Sequence, residues 1–192
     1  MQYPKGTMPN KTKNIIHGNR GMSLENDLNM TNQYYVEKNI AYIYKKPTPI
    51  QVTKVSFPDN SKKVIKEAYF KEPSTTDYNG IYNGIYIDFE AKETKSLTSF
   101  PLSNIHKHQI KHLENIINAG GIGFVIVRFT NLNKTFLLLG KDLIEYINNS
   151  NKKSIAISIF EEKAYLIKDK YIPRVDYLEI INNIYGGTYG KQ

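Results

Sequence analysis

Residues 85–92, IYIDFEAK, alternate strictly: Ile85, Ile87, Phe89 and Ala91 fall on one side, and Tyr86, Asp88, Glu90 and Lys92 on the other. This period predicts a half-buried strand, so Glu90 and Lys92 leave one face as neighbours. Upstream, Thr75 and Asp77 are two apart and share a face of any extended segment. The turn signals Asn79-Gly80 and Asn83-Gly84 lie between the two stretches and allow them to pair as a hairpin. A carboxylate on one strand then sits beside a carboxylate and a lysine on the other.

The remaining pattern predicts a mixed sheet covered by helices. Ser23 caps a helix in which Leu24, Leu28, Thr31 and Tyr35 form one stripe. "IAYIYKKPTPIQVTKVSF" reads as two strands broken at Pro47 and Pro49. "PDNSKKVIKEAYFKEP" follows, interrupts the sheet, and is too apolar for a simple linker. After the hairpin, a helix is expected over residues 102–118, stopped by Gly120-Gly121. "GFVIVRF" and "KTFLLL" are strands, "GKDLIEYINN" is a short helix, and "KSIAISIF" with "KAYLIK" is expected to form a strand pair. "PRVDYLEIINNIY" closes the chain with a helix whose Leu178, Ile181 and Tyr185 share a face. The order helix, strands, helix, strands, helix indicates an α/β mixed sheet flanked by helices. Residues 1–19 read as a flexible basic tail, 20–186 as a single domain, and 187–192 as a frayed end.

Composition narrows the functional classes. A net charge of +8 indicates a polyanionic partner, nucleic acid being the commonest, with solubilising surface charge as the alternative. No cysteine is present, which excludes disulfides and thiolate metal sites and fits a cytoplasmic protein. No apolar run approaches the length of a membrane span, and the polar N-terminus lacks the apolar core of a secretory signal.

Two close carboxylates resist joint ionisation unless a cation neutralises them. With oxygen ligands that cation is Mg²⁺, or Mn²⁺ in its place, which keeps waters for a nucleophile. Lys92 beside such a site can hold the attacking water or stabilise charge growing on a phosphate. These are the parts of a phosphodiester hydrolase. The plain alternative is an exposed Glu–Lys pair on a solvated strand, which is common and energetically slight. Spacing leaves Asp88 open as the ligand in place of Asp77. Gln109 falls within the apolar stripe of Ile105, Ile110, Leu113, Ile116 and Ile117, where an amide needs a partner that a metal or its water would supply. His108 and His112, four apart, could grip zinc, but no acidic third ligand of the usual spacing accompanies them.

Asp77 with Glu90-Ala91-Lys92 resembles the PD-(D/E)XK nuclease pattern, a short motif with many false matches. The surrounding text is more specific. "NRGMSLENDLN", "KKPTPIQV", "VIKEAYF", "STTDYNGIY", "YIDFEAKETK", "SFPL" and "PRVDY" together resemble the RecU family of Holliday junction resolvases of low-GC Gram-positive bacteria and their phages. The resemblance runs over about residues 19–185 and is least distinctive over 130–170.

The resemblance implies a restriction-endonuclease-like core, a homodimer, and Mg²⁺-dependent symmetric nicking of four-way junction DNA. It places the metal at Thr75, Asp77, Glu90 and Gln109, with Lys92 as the transition-state lysine. Residues 57–73 correspond to a stalk that enters the junction centre, and Glu25 to a further acidic position on the first helix. RecA and branch-migration proteins are the further partners implied. Two other functions compete: a less structure-selective DNA endonuclease, and a non-catalytic DNA-binding or recombinase-modulating protein on the same fold. The intact Asp77, Glu90 and Lys92 count against the last, and the lysine-rich insertion against the other.

Overall fold

A computed structural model describes residues 23–59, 62–71 and 75–189. The tail expected over 1–19 lies outside the described residues, as do 190–192. Helix α1 (Leu24–Glu37) starts at Ser23, whose hydroxyl accepts from the Asn26 amide, and buries Leu24, Leu28, Thr31 and Tyr35. A short strand β1 (Tyr42–Lys45) follows, then a ribbon of β2 (Ile50–Asp59) and β3 (Lys62–Phe70). Strands β4 (Tyr78–Tyr82) and β5 (Ile85–Thr94) form the central hairpin. Strand β6 (Ser99–Pro101) and helix α2 (Lys107–Asn118) lead to β7 (Ile122–Phe129) and β8 (Lys134–Leu139). Helix α3 (Gly140–Asn149), β9 (Ser154–Ala156), α4 (Ile157–Lys163), β10 (Tyr165–Ile167) and α5 (Tyr177–Tyr189) complete the chain.

The main sheet runs β1-β4-β5-β7-β8-β10, with β5 and β7 parallel and the other neighbours antiparallel. It is mixed, as expected, because α2 is the crossover that returns the chain parallel to β5. Strands β7 and β8 alternate between two cores. Phe124, Ile126, Leu137 and Leu139 pack with residues of α1 and α5, whereas Val125, Val127, Phe136 and Leu138 pack with Leu113, Leu143 and Phe160. Strand β5 gives Ile87 and Phe89 to the first core, with Ile85 and Ala91 packed at its margin, and turns Asp88 and Glu90 toward the second face. Among the described residues no helix is long and apolar enough to cross a membrane.

An aromatic ladder sets the register of the hairpin. Tyr78 stacks on Phe89 at 4.8 Å, and Phe89 on Phe124 at 4.7 Å, across three adjacent strands. A slip of one residue would carry every side chain to the opposite face. With Tyr78 opposite Phe89, the next position outward sets Asp77 beside Glu90. Phe89→Leu removes its ring contacts with Tyr78, Phe124 and Tyr177 at modest volume change and should cost about 2 kcal/mol in denaturant unfolding.

Four local expectations are corrected. Asn79-Gly80 lies inside β4 and makes no turn; a Cβ on Gly80 would come within 2.0 Å of the Tyr42 carbonyl oxygen, so glycine serves the approach of β1. The turn is Asn83-Gly84 alone, both with positive φ, the two-residue hairpin loop that follows strand twist. The second helix begins at Lys107 rather than 102, after a separate 3₁₀ turn at Leu102–Asn104. Within "KSIAISIF", only Ser154–Ala156 is strand; it pairs with β6, and the rest is α4, which buries Phe160 in the second core. Strand β10 pairs with β8 instead. A short apolar run fits either period, and packing chose the helix.

The ribbon departs from the sequence reading too. The strand beginning at Ile50 belongs to it and not to the main sheet, and pairing joins Ile50–Asp59 to Lys62–Phe70, with bulges. Every residue of β3 is exposed. Helix α5 continues to Tyr189, past Tyr185, the last residue of the expected helix.

Candidate active site

The hairpin brings Asp77, Glu90 and Lys92 into direct contact. Glu90 Oε2 accepts from the Asp77 amide at 3.1 Å, and Asp77 Oδ2 accepts from the Ala91 amide at 3.3 Å. Each carboxylate thus holds the backbone of the other's segment. Lys92 Nζ lies 2.6 Å from Glu90 Oε1, close enough for an ion pair. Its direction does not satisfy that oxygen, which is buried without a hydrogen-bond partner.

Glu90 is wholly buried, and its carboxyl is pushed up to about 7. Burial is the main cause and the charge of Asp77 the second, while Lys92 pulls the other way. A raised carboxyl binds its proton more tightly folded than unfolded. Its contribution to stability is therefore greatest at low pH and declines as pH rises from the ordinary glutamate range to about 7. A divalent cation here must displace that proton, so Mn²⁺ affinity should rise between pH 5.5 and 7.5, with proton release on binding that fades above pH 7. Calorimetry in two buffers of different ionisation heat checks this.

These residues fit a hard divalent ion. The buried unsatisfied Glu90 Oε1 and the adjoining Asp77 carboxylate are oxygen donors with excess negative charge, and Mg²⁺ commonly uses one or two carboxylates and keeps its waters. Among the described residues no three His, Asp or Glu side chains converge as a metal site. Further ligands must then be neutral oxygens.

Thr75 and Gln109 are not in hydrogen-bond contact with the trio. Thr75 is half-buried, and its hydroxyl makes a long 3.5 Å bond to the Thr76 carbonyl. Gln109 is buried, and its Oε1 accepts from the His106 amide at 2.9 Å. Because α2 starts late, Gln109 is in the first turn, where a side chain reaching back to the helix start is the usual arrangement. The helix itself supplies the partner that the sequence argument assigned to a metal.

Asp88 is excluded as the alternative ligand by saturation. It is fully buried and accepts from the Thr76 hydroxyl, from Lys46 Nζ at 2.8 Å and from the Tyr86 hydroxyl at 3.0 Å, with His112 Nε2 at 3.0 Å. His112 is thereby occupied, while His108 stacks on His106, and among the described residues no third His, Asp or Glu completes a metal group with them. Glu25 is an exposed partner of Lys45 at 2.5 Å. Sequence reasoning missed Lys46, Thr76, Tyr86 and His112 around Asp88; only the position of Asp88 on the polar face of β5 hinted at them.

The family model described as Recombination protein U matches residues 19–183 of this chain. The chain belongs to the RecU family. The RecU relatives include the Holliday junction resolvase RecU of Bacillus mycoides, 50% identical over 189 residues, which cover 96% of this chain and 94% of that protein. The Holliday junction resolvase RecU of Bacillus cytotoxicus is 51% identical with the same coverage. Among solved structures, Hjc of Archaeoglobus fulgidus, a Holliday junction resolvase, is 12% identical with a TM-score of 0.38, covering 69% of this chain and 90% of its own. Within this RecU chain the matched region includes the whole Asp77–Glu90–Lys92 site and the ribbon.

Proposed function

We propose that this chain is a Holliday junction resolving endonuclease acting in recombination. The observation that carries this reading is the buried Asp77–Glu90 pair with Lys92 against it, in a chain half identical to proteins that bear the resolvase name. Asp77 and Glu90 hold Mg²⁺, with Mn²⁺ as substitute, and the family resemblance adds Thr75 and Gln109 as neutral-oxygen ligands. The ion, when bound, supplies charge neutralisation at the scissile phosphate and an acidified water. Glu90 is kept ready by its burial: once its proton is displaced, Lys92 and the Asp77 amide offset its charge from the protein side. Lys92, a quarter exposed, presents its ammonium between Glu90 and solvent, where charge grows on the phosphate in the transition state.

Two symmetric cuts require two such sites, so the active form is a homodimer with two-fold symmetry. The ribbon serves as the stalk that meets the junction centre. RecA and branch-migration proteins are the further partners, and the cytoplasm is the site of action. The test is incubation of the protein with a labelled four-way junction and a matched duplex, with and without Mg²⁺. Paired nicks at symmetric positions on the junction alone are the expected result. Equal cutting of the duplex would point to a less selective endonuclease, and binding without cutting in either metal to a non-catalytic role.

A further inference from the structure

Asp88 leads away from the metal site to the root of the ribbon. Of the groups that saturate it, Lys46 is the first residue after β1 and opens the segment 46–49 that runs into β2. The Lys46 side chain is only 18% exposed, unusual for lysine. Its Nζ donates to Asp88 Oδ2 at 2.8 Å and to Thr76 Oγ1 at 3.0 Å, and its backbone amide donates to the Asp77 carbonyl at 2.8 Å. One residue therefore grips the main chain of one active-site carboxylate and the buried neighbour of the other.

The ribbon makes this grip consequential. Strands β2 and β3 pair with each other and join no other sheet, and β3 buries nothing. Lys71 closes the base by donating its amide to the Pro49 carbonyl at 2.9 Å. Beyond that closure, the direction of the ribbon depends on its roots. One root is Lys46; the other re-enters through Thr75 and Thr76 into Asp77, beside the same clamp. A buried ion pair is weak evidence for stability, and its best-attested use is to fix register.

We propose that Lys46 is a positioning residue for the nuclease reaction: through Asp88 and Thr76 it locks the root of the ribbon to the strand pair that carries Asp77 and Glu90. DNA held by the ribbon then bears directly on the spacing of the two carboxylates. Lys46 acts through protein groups alone, Asp88, Thr76 and the Asp77 carbonyl. The inference rests on the junction-nicking reading above and adds the residue that couples recognition to cutting.

Lys46→Met keeps the length of the stem and removes the ammonium donors. On the full chain, after thermal unfolding has established the folded fraction, three quantities are read: junction affinity without metal, kcat on junction and duplex, and Mn²⁺ affinity by electron paramagnetic resonance without DNA. Junction affinity should stay within about twofold, while kcat on the junction and Mn²⁺ affinity fall about 10- to 100-fold, the usual effect of losing a group that orients a ligand. The preference for junction over duplex in kcat should shrink with them. Thr76→Val, which removes one acceptor, should show a smaller loss of the same kind and stands in if Lys46→Met does not fold. Unchanged kcat and Mn²⁺ affinity in the folded variant overturn the proposal. So does a loss confined to junction affinity, which makes Lys46 a phosphate contact. If the wild-type chain nicks no junction, the functional reading fails, and the Mn²⁺ comparison still decides the role of Lys46.

Discussion

Asp77→Asn and Glu90→Gln should each lower junction nicking by on the order of a thousandfold, because the ion they are proposed to hold would supply several kcal/mol of transition-state charge stabilisation. Junction affinity in metal-free buffer should hardly change. Both substitutions preserve shape and remove one negative charge, so they take away the means of holding a cation while leaving the ribbon and the basic surface intact. Glu90→Gln carries a second expectation of opposite sign. The Glu90 carboxyl is raised by burial and by Asp77, so its ionised form burdens the metal-free protein above pH 7. The glutamine variant, inactive, should therefore melt a few degrees higher than wild type at pH 8, and the gap should close toward pH 5. Gel assays of nicking and binding, with melting curves at both pH values, test the two signs together. Near-normal nicking by either purified variant would remove the pair from the metal site.

Changing Lys62, Lys63 and Lys66 together to Ala should weaken junction binding far more than duplex binding. These lysines lie on β3, where the adjacent Lys62 and Lys63 leave opposite faces and Lys66 sits at a bulge, and all are exposed. The ribbon is thus basic on both faces, as an element surrounded by converging strands would need to be. If each lysine neutralises one phosphate, the slope of log affinity against log salt becomes shallower by roughly 2.7 for the junction. Metal binding at Asp77 and Glu90 should be unaffected, since the lysines lie beyond the Lys71–Pro49 closure. Salt-titrated binding to both DNAs measures this. Equal losses on junction and duplex would reduce the ribbon to a general electrostatic surface. Two large aromatics of the same strand are exposed as well, Tyr69 at 59% and Phe70 at 82%.

Alternation in residues 85–92 was enough to pair Glu90 with Lys92 on one face and, with Asp77 upstream of a turn, to anticipate the contact among the three. Strand period is a local property, and a hairpin links segments too close in sequence to have many alternative partners. The stripe of α1 and the strong apolar runs of β7 and β8 were legible for the same reason. Whatever depended on contacts between distant segments was not. Asn79-Gly80 looked like a turn until the Tyr42 backbone, from β1, claimed the space beside Gly80. The strand beginning at Ile50 has an ordinary strand pattern, and only the absence of a core on either face shows that it left the sheet. The start of α2 was placed too early, so the capping contact of the Gln109 side chain, set by the chain path through Leu102–Asn104, was not foreseen. Asp77 and Asp88 are equivalent as letters. Packing separated them, by surrounding Asp88 with Lys46, Thr76, Tyr86 and His112 and leaving Asp77 to meet the buried, unsatisfied Glu90. Sequence by itself determined which chemical groups and local periods the chain possesses; the tertiary structure alone decided which carboxylate is already neutralised, because that depends on residues as far apart as 46 and 112 converging on one oxygen.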